Sequence, residues 1–359
     1  MVFKYKKVNL KILYILLILL SLNIFFFSTI KVKAEAFKID NIEISKPFEM
    51  KFDKNRVIDE GFKKAFLELI LLIVDSSDQK KINKIKIKEI KGMIESFTIK
   101  EEKFIDETYY VNLGVSFNKK DIFEFLEKKN IFPSIPLKKK IIFIPVIIDE
   151  SKKELLIFSD NKIYDSWNTY TENYHLIEYI LPTEDLEDIN LIKSKYEFIE
   201  QYDFKEITNK YNIRDSIISL IFLDKDKVRV LSRISIKDKV VLKNQSFLDT
   251  DMDDINTVKK IIDTLKIIYE DYWKKLNQIN TSIKLTLNVR VDTTKDLKIE
   301  KFENTLENID LINNFSISRF NKNFIYYKII FNGTPDNFLK TMKDNNFNFD
   351  TQNKIWILR

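Results

Sequence analysis

The chain contains no cysteine, and that absence removes disulfide bonds, thiolate metal centres and cysteine nucleophiles together. Glycine is nearly as scarce, with four in 359 residues. Phosphate cradles need glycines that let backbone N–H groups close on the ligand. Gly61, Gly92, Gly114 and Gly333 stand far apart, so neither a G-x-G-x-x-G turn nor a Walker loop can be written. His175 is the sole histidine, which excludes an H-E-x-x-H motif and any histidine-based metal cluster. A Ser-His-Asp triad stays formally open, but no G-x-S-x-G elbow accompanies it. The plainer reading of His175 is a partly exposed loop residue before a strand. Nothing in this inventory calls for a metal, a nucleotide or another cofactor.

A long apolar run occurs once. Ile12–Ile30, ILYILLILLSLNIFFFSTI, carries no charge. As a helix it rises about 28 Å, close to the roughly 30 Å hydrocarbon core of a bilayer. Lys4, Lys6, Lys7 and Lys11 precede it as a positive flank that stays cytoplasmic. Val32-Lys33-Ala34 follows, with compact residues where a signal peptidase would cut before Glu35. Two readings survive, a cleaved export signal and an uncleaved N-terminal anchor, and both carry the remaining chain out of the cytoplasm.

The charge distribution agrees with that division. The net charge is +6, from 60 basic and 54 acidic residues. Residues 1–34 hold six of the lysines and none of the acids, so residues 35–359 balance 54 against 54. A neutral body gives no electrostatic footprint for nucleic acid. The 45% apolar content of the whole chain is that of a globular protein, and the length of the body points to two or three domains.

Hydrophobic periodicity divides the body into α+β and α/β modules in series. Residues 36–130 read as a small βαββα unit. Phe37–Ser45 alternates as a strand, and Val57–Val74 repeats at three and four residues as an amphipathic helix. Ile82, Ile85, Ile90, Met93 and Phe97 fit one helical stripe. A hairpin, Ser96–Ile105 and Tyr109–Phe117, and a helix over Lys119–Lys129 complete the unit. Phe132-Pro133-Ser134-Ile135-Pro136 marks a boundary.

Residues 138–280 read as a mixed-sheet α/β domain. Ile141–Ile148, IIFIPVII, is apolar throughout, the mark of a strand buried on both faces. Pro145 within it argues for an edge or a bulge. Further strands are expected at Leu176–Leu181, Ser216–Leu223, Lys227–Ile236 and Val240–Phe247. Helices are expected at Asn161–Tyr170, Glu184–Ile192, Phe204–Tyr211 and Asp254–Asn277.

Residues 282–359 have the order β-α-β-β-α-β of a ferredoxin-like module. Ile283, Leu285, Leu287, Val289 and Val291 alternate without a fault. Thr334-Pro335-Asp336 gives an N-cap, a proline at the first helical position and an acid in the first turn. Phe347–Leu358 is expected as the last strand.

Pro136–Ile147 (PLKKKIIFIPVI), Tyr164 and Trp167 after Asp160-Asn161, and Leu181–Asp188 (LPTEDLED) carry a resemblance. Together with the helix Val57–Val74 and the closing Phe331–Arg359, which includes Asn332-Gly333 and Trp356, they resemble the domain-of-unknown-function 2066 family of exported bacterial proteins. The resemblance implies export and a body of several domains covering nearly all of residues 35–359. It implies no reaction.

Two acidic groups and one aromatic group are the candidate chemistry. Asp249, Asp251, Asp253 and Asp254 lack the glycine and glutamate of a calcium loop, since Asp254 and Lys260 occupy those places. They suit the first turn of a helix. Glu184, Asp185, Glu187 and Asp188 repeat that arrangement after Thr183. A glycosidase pair would have to face across a sugar. Trp167 with Tyr164, Tyr170 and Tyr174 could stack on sugar or peptide, with core packing the plainer reading. The candidate binding set is therefore Trp167, Tyr164, Asp185 and Asp188, with no catalytic residue assigned. The run Lys80, Lys81, Lys84, Lys86, Lys88 and Lys91 reads as a solvated face or a contact for anionic lipid.

The expectation is an exported, periplasmic envelope protein, soluble or tethered to the inner membrane by residues 12–30. Its role would be non-catalytic binding or scaffolding of envelope proteins or of the membrane surface. The alternative is a carboxylate-dependent hydrolase of an envelope polymer, using acids from 184–188 or 249–254. That alternative requires a cleft near Trp167 that brings acids from different elements together.

Overall fold

The computed structural model describes residues 37–359, apart from 83, 170, 173, 174, 225, 226, 249 and 295. The leader expected over residues 1–34 lies outside the described residues. No helix among those described is long and apolar enough to cross a membrane. Among the described residues the fold is mixed α/β with three sheets, and residues 37–359 cluster as one compact unit.

The first sheet joins β1 (Lys38–Pro47), β2 (Ile94–Ile105) and β3 (Thr108–Phe117) in the antiparallel order β1-β3-β2. Helix α1 (Lys54–Ile73) starts where the Asp53 carboxylate accepts from the Asn55 N–H at 2.9 Å. It buries Val57, Phe62, Phe66, Leu69, Ile70 and Ile73 along one side. Gly61 lets it come close to the sheet, since a Cβ there would sit 2.4 Å from the Leu113 side chain. The stretch expected as one helical stripe breaks into α2 (Ser76–Gln79) and α3 (Ile87–Gly92). Ile82, Ile90 and Met93 are buried, but Phe97 lies in β2. The β2–β3 turn holds Asp106 and Glu107 at positive φ, the conformation a two-residue hairpin loop requires. Helix α4 (Lys119–Glu127) ends this part.

The central sheet contains β4 (Lys139–Asp149), β5 (Glu154–Leu156), β6 (Ile177–Ile180), β7 (Ser216–Asp224), β8 (Lys227–Ile236) and β9 (Lys239–Leu248). Its order is β5-β4-β7-β8-β9, with β6 also on β4. β4 is interior and parallel to β6 and β7, so Pro145 is not at the sheet edge. On one side β4 pairs β6 through Ile142 and β5 from Ile147 onward, and Pro145 falls in the gap between them. No ladder N–H is needed there. Asn161, wholly buried, fills the gap: its amide donates to the carbonyls of Pro145 at 3.1 Å and Leu156 at 3.3 Å. Its oxygen accepts from the Ile163 and Tyr164 N–H groups and opens α5 (Lys162–Ser166).

Both faces of this sheet are covered. Ile142, Ile144, Val146 and Ile148 pack beneath α6 (Leu186–Ser194), α7 (Lys205–Thr208) and their loops. Ile141, Phe143 and Ile147 pack beneath α8 (Ile255–Leu276), which buries Val258, Ile261, Ile262, Leu265, Tyr269 and Trp273. Each such side chain contributes up to about 1.5–3 kcal/mol, so α8 is a principal element of the core.

The third sheet contains β10 (Lys284–Asp292), β11 (Ile312–Phe320), β12 (Phe324–Asn332), β13 (Phe349–Asp350) and β14 (Trp356–Leu358). Helices α9 (Asp296–Asn308) and α10 (Pro335–Asp344) share one core with its inward face. Thr334 accepts from the Asn337 N–H at 3.3 Å and caps α10. Residues 347–358 are two strands rather than the one expected. β14 lies parallel beside β10, and β13 folds back antiparallel outside it. The boundary at 132–136 is docked rather than loose: the Ser134 N–H donates to the Ile73 carbonyl at 2.7 Å, and Ser134 pairs with Gln278.

Candidate binding surface

The four residues singled out from sequence do not form a site. Trp167 is fully buried, stacked on Phe143 at 3.8 Å and edge-on to Tyr179 at 5.2 Å. It belongs to the core beneath α8 and offers no surface to a sugar or peptide. Tyr164, three residues earlier, packs into the opposite core and donates its hydroxyl to the Pro182 carbonyl at 2.7 Å. Asp185 caps α6 by accepting from the Glu187 N–H at 2.8 Å. That bond, with the Lys210 ammonium, holds its carboxyl below the usual range. Lys210 also donates to buried Asp188 at 2.7 Å. The two acids are thus fastened to one helix and one lysine. Tyr170 and Tyr174 lie outside the described residues.

The second acidic group has the same character. Asp254 caps α8 through the N–H groups of Asn256 and Thr257, and Asp253 is paired with Lys162. Asp251 accepts from the Asp253 N–H at 2.8 Å, and Asp249 lies outside the described residues. Among those described, no three metal-ligating side chains converge. Among the described residues, these acids are tied to helix starts and lysines rather than set around a cleft at Trp167, the geometry the hydrolase requires.

A row of charges that sequence reasoning missed lies on α8. Lys266, Glu270 and Lys274, four residues apart, are all buried. The Glu270 carboxylate accepts from the N–H groups of Leu176 and Ile177, with distances of 2.9–3.1 Å, and fixes the start of β6. Burial still pushes its pKa up. Lys274 donates to the carbonyls of Leu71 at 2.5 Å and Val74 at 3.2 Å, where the C-terminal end of α1 favours a cation. Lys266 lies over the rings of Trp167 and Tyr179 at 5.5 and 5.9 Å. His175 is half-buried beside this row, and burial together with both lysines lowers its pKa to about 4. Periodicity does not mark them, because at about 3.6 residues per turn Lys266, Glu270 and Lys274 step away from the apolar stripe of α8. The row ties α8 to β6 and to the end of α1.

Sheet edge is a different kind of open surface. An edge strand offers unpaired backbone donors and acceptors, and proteins blunt it with bulges, charge or shortness. β1, β2 and β11 are broken by register shifts, and β13 has two residues. β9 is different. It pairs with β8 over all ten residues without a shift and is the last strand in the sheet. Val240, Leu242 and Leu248 are 62%, 61% and 71% exposed along it. The Lys237-Asp238 turn, both residues at positive φ, makes Ile236 and Lys239 the first bonded pair. Alternation then points the backbone groups of Val240, Leu242, Asn244, Ser246 and Leu248 away from β8.

No known family model matches the chain, and no curated protein does. Among solved structures, one titled "Crystal structure of uncharacterized protein" aligns with 40% of this chain and 95% of its own. The identity is 6% and the TM-score 0.16, too low to carry an argument.

Proposed function

We propose that the chain is an exported envelope protein that binds or scaffolds envelope partners without catalysis, taking a partner's strand along β9. The observation that carries the reading is the ten-residue, unbulged edge with apolar side chains in solvent. Strand addition supplies affinity through the main chain and specificity through alternate side chains. Export is supported by the uncharged run Ile12–Ile30 after four lysines and by the resemblance to the domain-of-unknown-function 2066 family of exported proteins. We take residues 282–359 as a ferredoxin-like module in which the β13–β14 hairpin fills the place of the fourth strand.

Cell fractionation with N-terminal sequencing tests the location. A new terminus at Glu35 in the periplasm fits a free binding protein, and Met1 in the membrane fraction fits an anchored one. Recovery from the cytosol defeats the proposal. A photo-crosslinking residue at position 242 tests the surface: it should capture an envelope protein that the same probe on buried Tyr327 does not.

A further inference from the structure

We propose that the strand β9 accepts is apolar on one face and acidic on the other; this deepens, and rests on, the reading of β9 as a binding edge. Two side-chain rows flank the free backbone. Val240, Leu242 and Leu248 stand on one face, and a strand laid beside them must bring apolar side chains or leave them in water. Lys239 and Lys243 stand on the other face, both exposed, and among the described residues neither has an acidic partner.

The local charge is out of proportion to the rest of the body. Residues 227–248 hold Lys227, Arg229, Arg233, Lys237, Lys239 and Lys243 against Asp238 alone, in a body that balances as a whole. Three of these cations are engaged within the protein. Arg229 pairs with Glu200 at 3.2 Å and lies over Phe222. Arg233 donates to the carbonyls of Tyr202 and Glu200. Lys237 reaches Asn277 and lies over Trp273. The cations left facing solvent include the two on the edge strand itself.

A polyanion without an apolar face would satisfy the lysines and leave Val240 and Leu242 bare. A purely apolar strand would do the reverse. A second copy of β9 would bring further lysines and no acid, since the strand contains none. An extended polypeptide with alternating apolar and acidic residues meets both rows and pairs with the outward N–H and C=O groups.

The test uses the purified full-length chain and three labelled ten-residue peptides: alternating Val–Glu, alternating Val–Lys and poly-glutamate. Fluorescence anisotropy should show the Val–Glu peptide binding roughly tenfold or more tightly than either other peptide, as two cross-strand charge pairs suggest. Hydrogen exchange at the amides of 240, 242, 244, 246 and 248 should slow when it binds. The double substitution Lys239→Glu, Lys243→Glu should transfer the preference to the Val–Lys peptide. Asn244→Pro removes one outward N–H without touching the β8 ladder, and should abolish binding with the circular dichroism unchanged. Should that variant unfold, exchange protection in the native chain decides. Equal binding of both alternating peptides with those amides protected overturns the acidic partner but leaves the edge as a binding site. Absence of binding and protection with every peptide overturns both. Sedimentation showing a dimer whose formation protects the same amides assigns the edge to a second copy and overturns the acidic partner.

Discussion

On one face of the central sheet a single 22-residue helix, α8, supplies the cover; on the other, two short helices and their loops do so piecemeal. The long helix carries enough apolar length to accommodate a buried row of charges, two of them, Glu270 and Lys274, matched to backbone groups of another element. The patchwork face uses side chain to carbonyl ties instead, Tyr164 to Pro182 and Arg233 to Tyr202 and Glu200. The patchwork also stops short of β9, which is why Val240 and Leu242 remain in water while β7 in the same sheet is buried. A cover assembled from loops can be cut to leave an edge free.

Substitutions on the two faces should separate them. Trp167→Ala under α8 should cost about 3–5 kcal/mol, as large-to-small changes of buried aromatics do, read as a fall in the denaturation midpoint. A Trp167 that served a ligand from the surface would leave stability nearly unchanged, and that outcome would sink the assignment made above. Next in size is Glu270→Leu, which leaves the Leu176 and Ile177 N–H groups buried without their acceptor. A loss of about 2–4 kcal/mol is expected, with faster hydrogen exchange at those two amides before any change in β8. On the patchwork face Tyr164→Phe removes one hydrogen bond and should cost about 1 kcal/mol. A larger penalty there would mean that the loops are as tightly coupled as the helix.

The last effect is confined to acid pH. The folded state holds His175 near a pKa of about 4, below its ordinary 6.5, so the unfolded chain binds the proton more readily between those values. The stability contributed by keeping it neutral is complete above pH 6.5 and is lost as the pH falls toward 4. His175→Gln should flatten that limb of the stability curve measured by urea titration, and an unchanged slope would count against the assigned burial.

Some of this architecture could be read from short stretches alone. The unbroken run Ile141–Ile148 reports a strand covered on both faces, and the alternation from Leu285 to Val291 reports one covered on a single face. The cap at Thr334 was equally plain, because a cap involves residues only two or three positions apart. The candidate site was not legible in the same way. Trp167 and Tyr164 are neighbours in sequence, yet α5 sends them to opposite cores. Nothing local marks Lys274 as buried, because its partners, Leu71 and Val74, lie some 200 residues earlier.

Local and periodic features can thus be read along the chain: where helices and strands fall, how many faces each must hide, and which chemistries lack their residues. Adjacency emerges only in the folded molecule. β9 reads as one more strand until the sheet order leaves it outermost, and Lys266, Glu270 and Lys274 read as a polar face until α8 is laid down. The physical reason is that hydrophobic period records whether a side chain is covered, whereas the identity of the covering element depends on pairings across long stretches of chain.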